Sequence, residues 1–223
     1  MKEILYEWGG WNMLLFHWIN DIPHTYWLDQ VMLIGTQLGD HAHFVSYLCG
    51  MIVFVFLTML QSSAPREVVA SMGFATIAVF VFSFWIQGEI VGWLKETLDF
   101  PRPPLVLQDT GFFSLHPSAL HVVGTPEYHH SLPSGHSVFA MLVAASFWPL
   151  LGRFRLLAVL FVIWVGVSRI SLGMHFPADV VAGYLLSLSV VLAVRFFVTQ
   201  AMLLQARGWK TASEVDSKHW KLV

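Results

Sequence analysis

Long apolar stretches, separated by short polar turns, set the character of this chain. His43 to Leu60 contains no Asp, Glu, Lys or Arg and closes on the polar turn QSSAPRE. Val68 to Trp93 is a second run, whose helix continues to Leu98 and stops short of Pro101, since a proline pushes the residue before it out of helical backbone. Ser137–Leu151, Leu156–Val167 and Pro177–Val198 are three more. A bilayer core about 30 Å thick asks for roughly 20 such residues per helix, fewer where a span is short. Upstream, Ile4 to Ile19 is crowded with Tyr6, Trp8, Trp11, Phe16 and Trp18 but interrupted by Glu7, Gly9, Gly10 and His17. Two readings stay open there, a short first crossing or a helix lying in the interface, where Trp and Tyr prefer to sit. Tyr26 to Leu38 is too short to cross comfortably and reads as interfacial. Pro103 to Leu132 is a polar loop with several Pro and Gly. The pattern predicts an all-α, polytopic transmembrane helical bundle of about six spans, five clear and the N-terminal one open. It divides into residues 1–40 (interfacial or a short first span), a transmembrane core at 41–200, and a cytoplasmic tail at 201–223.

Composition agrees with a membrane location. Of 223 residues, 56% are hydrophobic and 12% charged, half the roughly 25% usual in globular chains, and the mean hydropathy is +0.64. A net charge of −2 with no basic run offers nothing to nucleic acid. The single cysteine, Cys49, sits in an apolar run and supplies neither a disulfide framework nor a thiolate metal site. The first residues lack the pattern of a cleavable leader. No obligate protein partner is expected.

The cations orient the bundle. With alternating spans, Arg66, Arg153, Arg155, Arg195, Arg207, Lys210, Lys218 and Lys221 fall on one side, which the positive-inside rule makes cytoplasmic. Lys95, Arg102 and Arg169 are left on the other. They are either snorkelling anchors at helix ends or an anion site.

Three stretches meet on that outer side. In Ser168–Asp179, SRISLGMHFPAD, Pro177 suits the first turn of a helix, so His175 lies just before the helix and Asp179 follows four residues later on the same side. Such a carboxylate either caps the helix or holds one imidazole nitrogen and leaves the other free to attack. Arg169 brings a permanent charge to the same mouth. Pro133-Ser134-Gly135-His136 opens a helix, where free N–H groups and the positive end of the dipole form an anion site. Gly135 lets backbone approach a phosphate closely, and His136 is placed to give a proton to a leaving oxygen. The third stretch runs from Lys95 to Arg102-Pro103.

Together, K-x6-RP, PSGH and SR-x5-H-x3-D resemble the three-part signature of the type-2 phosphatidic acid phosphatase superfamily, over roughly Ala42 to Arg195. The resemblance implies a membrane lipid phosphatase. Its implied catalytic residues are His175 as nucleophile, Asp179 orienting it and His136 as acid and base. Lys95, Arg102, Ser134, Gly135 and Arg169 would bind the substrate phosphate. No cofactor and no metal are called for. The expected partners are the bilayer and a phosphorylated lipid: phosphatidic acid, phosphatidylglycerophosphate, undecaprenyl pyrophosphate or a lipid A phosphate. The long loop before PSGH favours the last two. The expected place is a bacterial inner membrane, with the site facing the periplasm. A lipid phosphotransferase using the same phosphohistidine, and a non-catalytic phospholipid binder or transporter, remain alternatives.

Other polar residues carry less. Glu89, inside a span, either pairs with a signature cation or hydrogen-bonds a neighbouring helix. His116, His121, His129 and His130 fit no standard zinc spacing and read as solvated loop residues, with a role in gripping the head group as the other possibility.

Overall fold

The computed structural model describes residues 8–109 and 120–219. Among the described residues, eight α-helices follow one another: α1 (Trp11–Asn20), α2 (Tyr26–Leu38), α3 (Phe44–Gln61), α4 (Arg66–Leu98), α5 (Pro103–Asp109), α6 (Gly135–Phe147), α7 (Arg155–Ser171) and α8 (Pro177–His219). Among the described residues, four helical stretches are long and apolar enough to cross a membrane: His41–Gln61, Arg66–Leu107, Gly152–Ser171 and Pro177–Ala206.

Of the six or so expected spans, four are of crossing length among the described residues, and a sixth is not shown. The N-terminal segment is broken at Gly9 and Gly10, whose φ angles of 64° and 90° are left-handed, so α1 starts only at Trp11 and has ten residues. At 1.5 Å per residue it covers about 15 Å, half the apolar thickness of a bilayer. Residues 4–7 of that expected span lie outside the described residues. α6 is apolar but stops at Phe147, two residues before Pro149, and has 13 residues in place of the run to Leu151. Two other boundaries move. Asp99, at φ 39°, closes α4, and Pro103 starts α5, so the loop predicted from Pro103 opens with a helix. α8 continues beyond Val198 to His219, which makes residues 201–219 of the tail helical.

One core lies between α3, α4, α6 and α8, where Met51, Val79, Phe80, Phe139, Leu142 and Val191 are buried. A second joins α1, α5, α7 and the start of α8 through Phe16, Leu107, Ile170, Phe176 and Val180. On α8, Val181, Leu185, Leu188, Leu192 and Phe196 are exposed at helical spacing, an apolar stripe that faces outward as lipid contact requires. α1 is anchored by its polar residues. Asn12 Oδ1 accepts from Ala178 N at 2.9 Å, and Asn20 Nδ2 donates to the carbonyls of His121, Ile170 and Ser171. Gly183 on α8 lets the Ser134–Gly135 segment lie against the helix: a Cβ there would fall 2.8 Å from the Ser134 carbonyl.

Candidate active site

The C-terminal ends of α4 and α7 and the N-terminal ends of α6 and α8 converge at one end of the bundle. The turn between α7 and α8 folds back on itself, with the Arg169 carbonyl accepting from both Met174 N (3.0 Å) and His175 N (3.2 Å). This places His175, 2% exposed, directly ahead of α8. Asp179 is fully buried, and its Oδ2 accepts from Ser131 Oγ at 2.5 Å and from Phe176 N at 2.8 Å. The same oxygen lies 3.4 Å from His175 Nδ1, as does Ser131 Oγ. Asp179 is therefore both the helix cap and the partner of His175, so the two sequence readings hold together.

The other ring nitrogen, His175 Nε2, faces Arg102 Nη1 at 3.4 Å. Arg102 is 5% exposed and held by the carbonyls of His129 (2.9 Å) and Met174 (3.4 Å), with Glu127 2.6 Å from its Nη2. Arg169 donates to Thr36 Oγ1 at 3.5 Å, and its Nε is buried with no hydrogen-bond partner. Lys95 lies within electrostatic reach of Arg102, Arg169 and Asp179, and His136 within reach of Arg169 and His175. Ser134, wholly buried, accepts from Ser137 Oγ at 3.0 Å, and its N–H donates to the Asp179 carbonyl at 3.0 Å. Burial first, then the charges of Arg169, Arg102 and Lys95, push His175 well below the ordinary imidazole range. Its ring is neutral at pH 7, and with Nδ1 turned to Asp179 the lone pair of Nε2 accepts from Arg102 Nη1.

All eight residues singled out from the sequence thus gather at one mouth. Ser131 and Glu127 were not singled out. Ser131 stands two residues before PSGH, and its contact with Asp179 spans 48 residues of chain, which no local pattern encodes. Glu89 is exposed and forms no ion pair among the described residues. Gln87, two residues earlier, points inward. It lines a cavity of about 280 Å³ between α4 and α6, with Phe84, Val91, Val138 and Leu142 as walls and Lys95, Gly135 and His41 at the mouth. Both atoms of the Gln87 amide are buried without a partner among the described residues. His116 lies outside the described residues; His129 and His130 each approach Asp99 at 3.4 Å.

Known proteins resemble this chain in sequence and in fold. A lipid A 1-phosphatase from Rhizobium etli is 30% identical over 153 residues, covering 66% of this chain and 62% of its own. The chain spans about three fifths of the length of that protein and of its Rhizobium johnstonii counterpart. The putative undecaprenyl-diphosphatase YbjG of Escherichia coli is 28% identical over 165 residues, 73% of this chain and 70% of its own. In fold, Aquifex aeolicus LpxE superposes with a TM-score of 0.63 over 82% of this chain and 93% of its own, at 22% identity. Its bacterial relatives and its crossing-length helices make this a multi-pass protein of a bacterial inner membrane. The PAP2 superfamily profile matches residues 68–202, the stretch that carries Lys95, Arg102, His136, Arg169, His175 and Asp179, and the chain belongs to that superfamily.

Proposed function

We propose that this protein removes phosphate from a membrane lipid, a phosphomonoester or a pyrophosphate, through a phosphohistidine on His175. The observation that carries the reading is the orientation of one ring: Nδ1 is turned to Asp179 and Ser131, and Nε2 is turned to Arg102. A phosphoryl group held by Arg102, Arg169 and Lys95 meets the lone pair of Nε2. As the P–N bond forms, the bond to the lipid oxygen breaks, and His136 gives that oxygen its proton. Water then attacks phosphorus with its proton passing to His136, and His175 is regenerated. Asp179 offsets the positive charge that grows on the ring. The three cations stabilise the equatorial oxygens, and the N–H groups beside Ser134 and Gly135 extend the cradle.

The cavity between α4 and α6 supports a sideways approach from the bilayer, with an acyl or prenyl chain along its apolar walls and the phosphate at Lys95. The relatives' names put a lipid A phosphate and undecaprenyl diphosphate first as substrates. The head-group argument from the long loop falls partly on residues 110–119, outside the described residues. Arg66 begins α4 and Lys95 stands in its last turn, so Arg66 lies at the end opposite the site, which by the positive-inside rule supports a site that faces the periplasm.

The test is phosphate release by the purified protein in detergent with EDTA. The panel holds phosphatidic acid, phosphatidylglycerophosphate, undecaprenyl pyrophosphate and lipid A, with His175→Ala as the blank. Release that the variant abolishes is the expected result. An acceptor lipid that captures labelled phosphate at the expense of release would make the enzyme a phosphotransferase. No release and no transfer from any of the four would overturn the reading.

A further inference from the structure

Away from the catalytic mouth, three side chains from separate stretches converge: His24 before α2, Asp29 in its first turn, and His121 in the loop that precedes α6. His24 Nδ1 is 3.3 Å and His121 Nε2 is 2.9 Å from Asp29 Oδ1, and the three atoms lie within 4.8 Å of one another. The two rings stack, with centroids 3.3 Å apart and planes at 11°.

The tautomer of His24 is fixed by its other side. Its Nε2 lies 2.6 Å from the Asn20 carbonyl, which can only accept, so Nε2 carries the proton. In the neutral ring Nδ1 is then a bare lone pair. That atom is buried and makes no hydrogen bond among the described residues, although a carboxylate oxygen is only 3.3 Å away. An undonated lone pair beside a carboxylate oxygen that a second imidazole also reaches brings the three ligand groups of a metal site within 4.8 Å of one another. Protonating both rings instead would stack two positive charges face to face. Metal–ligand bonds of about 2.0–2.1 Å in a tetrahedron put neighbouring ligand atoms roughly 3.3 Å apart, close to both measured separations.

We infer that His24, Asp29 and His121 bind a divalent transition metal, with zinc the natural occupant of two imidazoles and one carboxylate and a solvent molecule completing the set. Binding asks that the His121 proton move from Nε2 to Nδ1 and that one imidazole turn out of the stack, because each lone pair lies in its ring plane and two parallel rings 3.3 Å apart do not both aim at one ion. The Asn20 carbonyl on His24 is the outer contact that orients a ligating imidazole. Calcium and magnesium, which prefer oxygen, do not suit the site.

The site braces the outer face. It ties the α1–α2 turn to the loop at His121, whose backbone N–H and carbonyl are both held by Asn20. Val123 N in turn donates to the Leu172 carbonyl at 3.4 Å, in the turn that leads to His175. Zinc is thus structural here and takes no part in phosphoryl transfer. The inference does not depend on the proposed chemistry, and its readout is metal content.

The experiment is equilibrium dialysis of full-length protein, carrying a histidine-free tag, against micromolar zinc in detergent, followed by elemental analysis. About one zinc per chain is expected. It should be retained by His17→Ala and lost, with at least a tenfold weaker affinity, in His24→Ala, His121→Ala and the isosteric Asp29→Asn. Cobalt, needing no variant, should give the visible absorption of a low-symmetry four-coordinate site, and chelation should lower the melting temperature of the wild type alone. No bound zinc, or equal zinc in the wild type and Asp29→Asn, would overturn the inference.

Discussion

Replacing Ser131 by alanine removes one hydroxyl from a place where nothing else can supply it. Ser131 is wholly buried, and its Oγ donates to Asp179 Oδ2 at 2.5 Å and lies 3.4 Å from His175 Nδ1. A hydrogen bond to a buried charge contributes about 1.5–3 kcal/mol. Asp179 keeps its bond from Phe176 N and its contact with His175, so the lower part of that range applies, about 1.5–2 kcal/mol. If the carboxylate is needed most when His175 becomes positively charged, that loss falls on the chemical step. A kcat about 10- to 30-fold lower, with KM little changed, is then expected. The assay is steady-state phosphate release in mixed micelles at saturating lipid, with thermal unfolding run beside it to confirm that the variant is folded. In an Asp179→Asn background the same change should add little, because the bond's acceptor charge is already gone. A Ser131→Ala enzyme with wild-type kcat, or one whose entire defect is in KM, would refute the reasoning.

Other outcomes follow from the same geometry. Glu127, whose side chain is 61% exposed, sits on Arg102 where a phosphoryl oxygen would bind. Glu127→Gln should lower KM about two- to fivefold, since a pair open to water is worth up to roughly 1 kcal/mol, and an unchanged or raised KM would count against a shared anion position. Burial and neighbouring cations hold His175 below its unfolded value of about 6.5. The unfolded chain therefore takes up the proton first, and stability declines as pH falls below that value. Melting temperatures measured from pH 7 to 5.5 should drop more steeply for the wild type than for His175→Gln, and parallel curves would contradict this. Gln87→Leu removes a buried amide without a partner, a burden of about 1–3 kcal/mol. It should raise the melting temperature while raising KM for a diacyl lipid and leaving a short-chain soluble ester unaffected. Equal effects on both substrates would remove Gln87 from the lipid path.

How much of this was legible from the chain differs from place to place. Lys95, Arg102, Ser134, His136, Arg169, His175 and Asp179 could be read as one cluster because they occupy the positions of K-x6-RP, PSGH and SR-x5-H-x3-D, and helix ends marked by Pro101, Pro133 and Pro177 put them at one end of the bundle. Ser131 was not, for a serine before a turn looks like any other until the fold brings Asp179 to it. The intramembrane polar cue pointed to Glu89, because charge outranks a neutral amide in any transfer scale. Two positions on a helix are about 200° apart, and Gln87 has the inward side. In α1, Asn12 and Asn20 read as interruptions of a weak crossing, whereas they tie a ten-residue helix to α8 and to the outer loop. The metal ligands escaped because loop spacing compares His121 with its sequence neighbours, and its partners lie some 90 residues away, across from it in the fold.

Asp179 Oδ2 accepts from the N–H of Phe176 while it faces the ring of His175. The first turn of α8 and the imidazole of His175 therefore share a single oxygen atom as a partner. For protein engineering this makes position 179 a poor choice for a dead enzyme, since its loss frays the first turn of α8 along with turnover. A variant meant to hold an uncleaved lipid for structural work is better made at His175 or His136, whose rings secure no helix end. For evolution, the same double duty means that drift at this carboxylate is opposed by folding even in a lineage that has abandoned the reaction. An intact Asp179 is thus weaker testimony to activity than an intact His175.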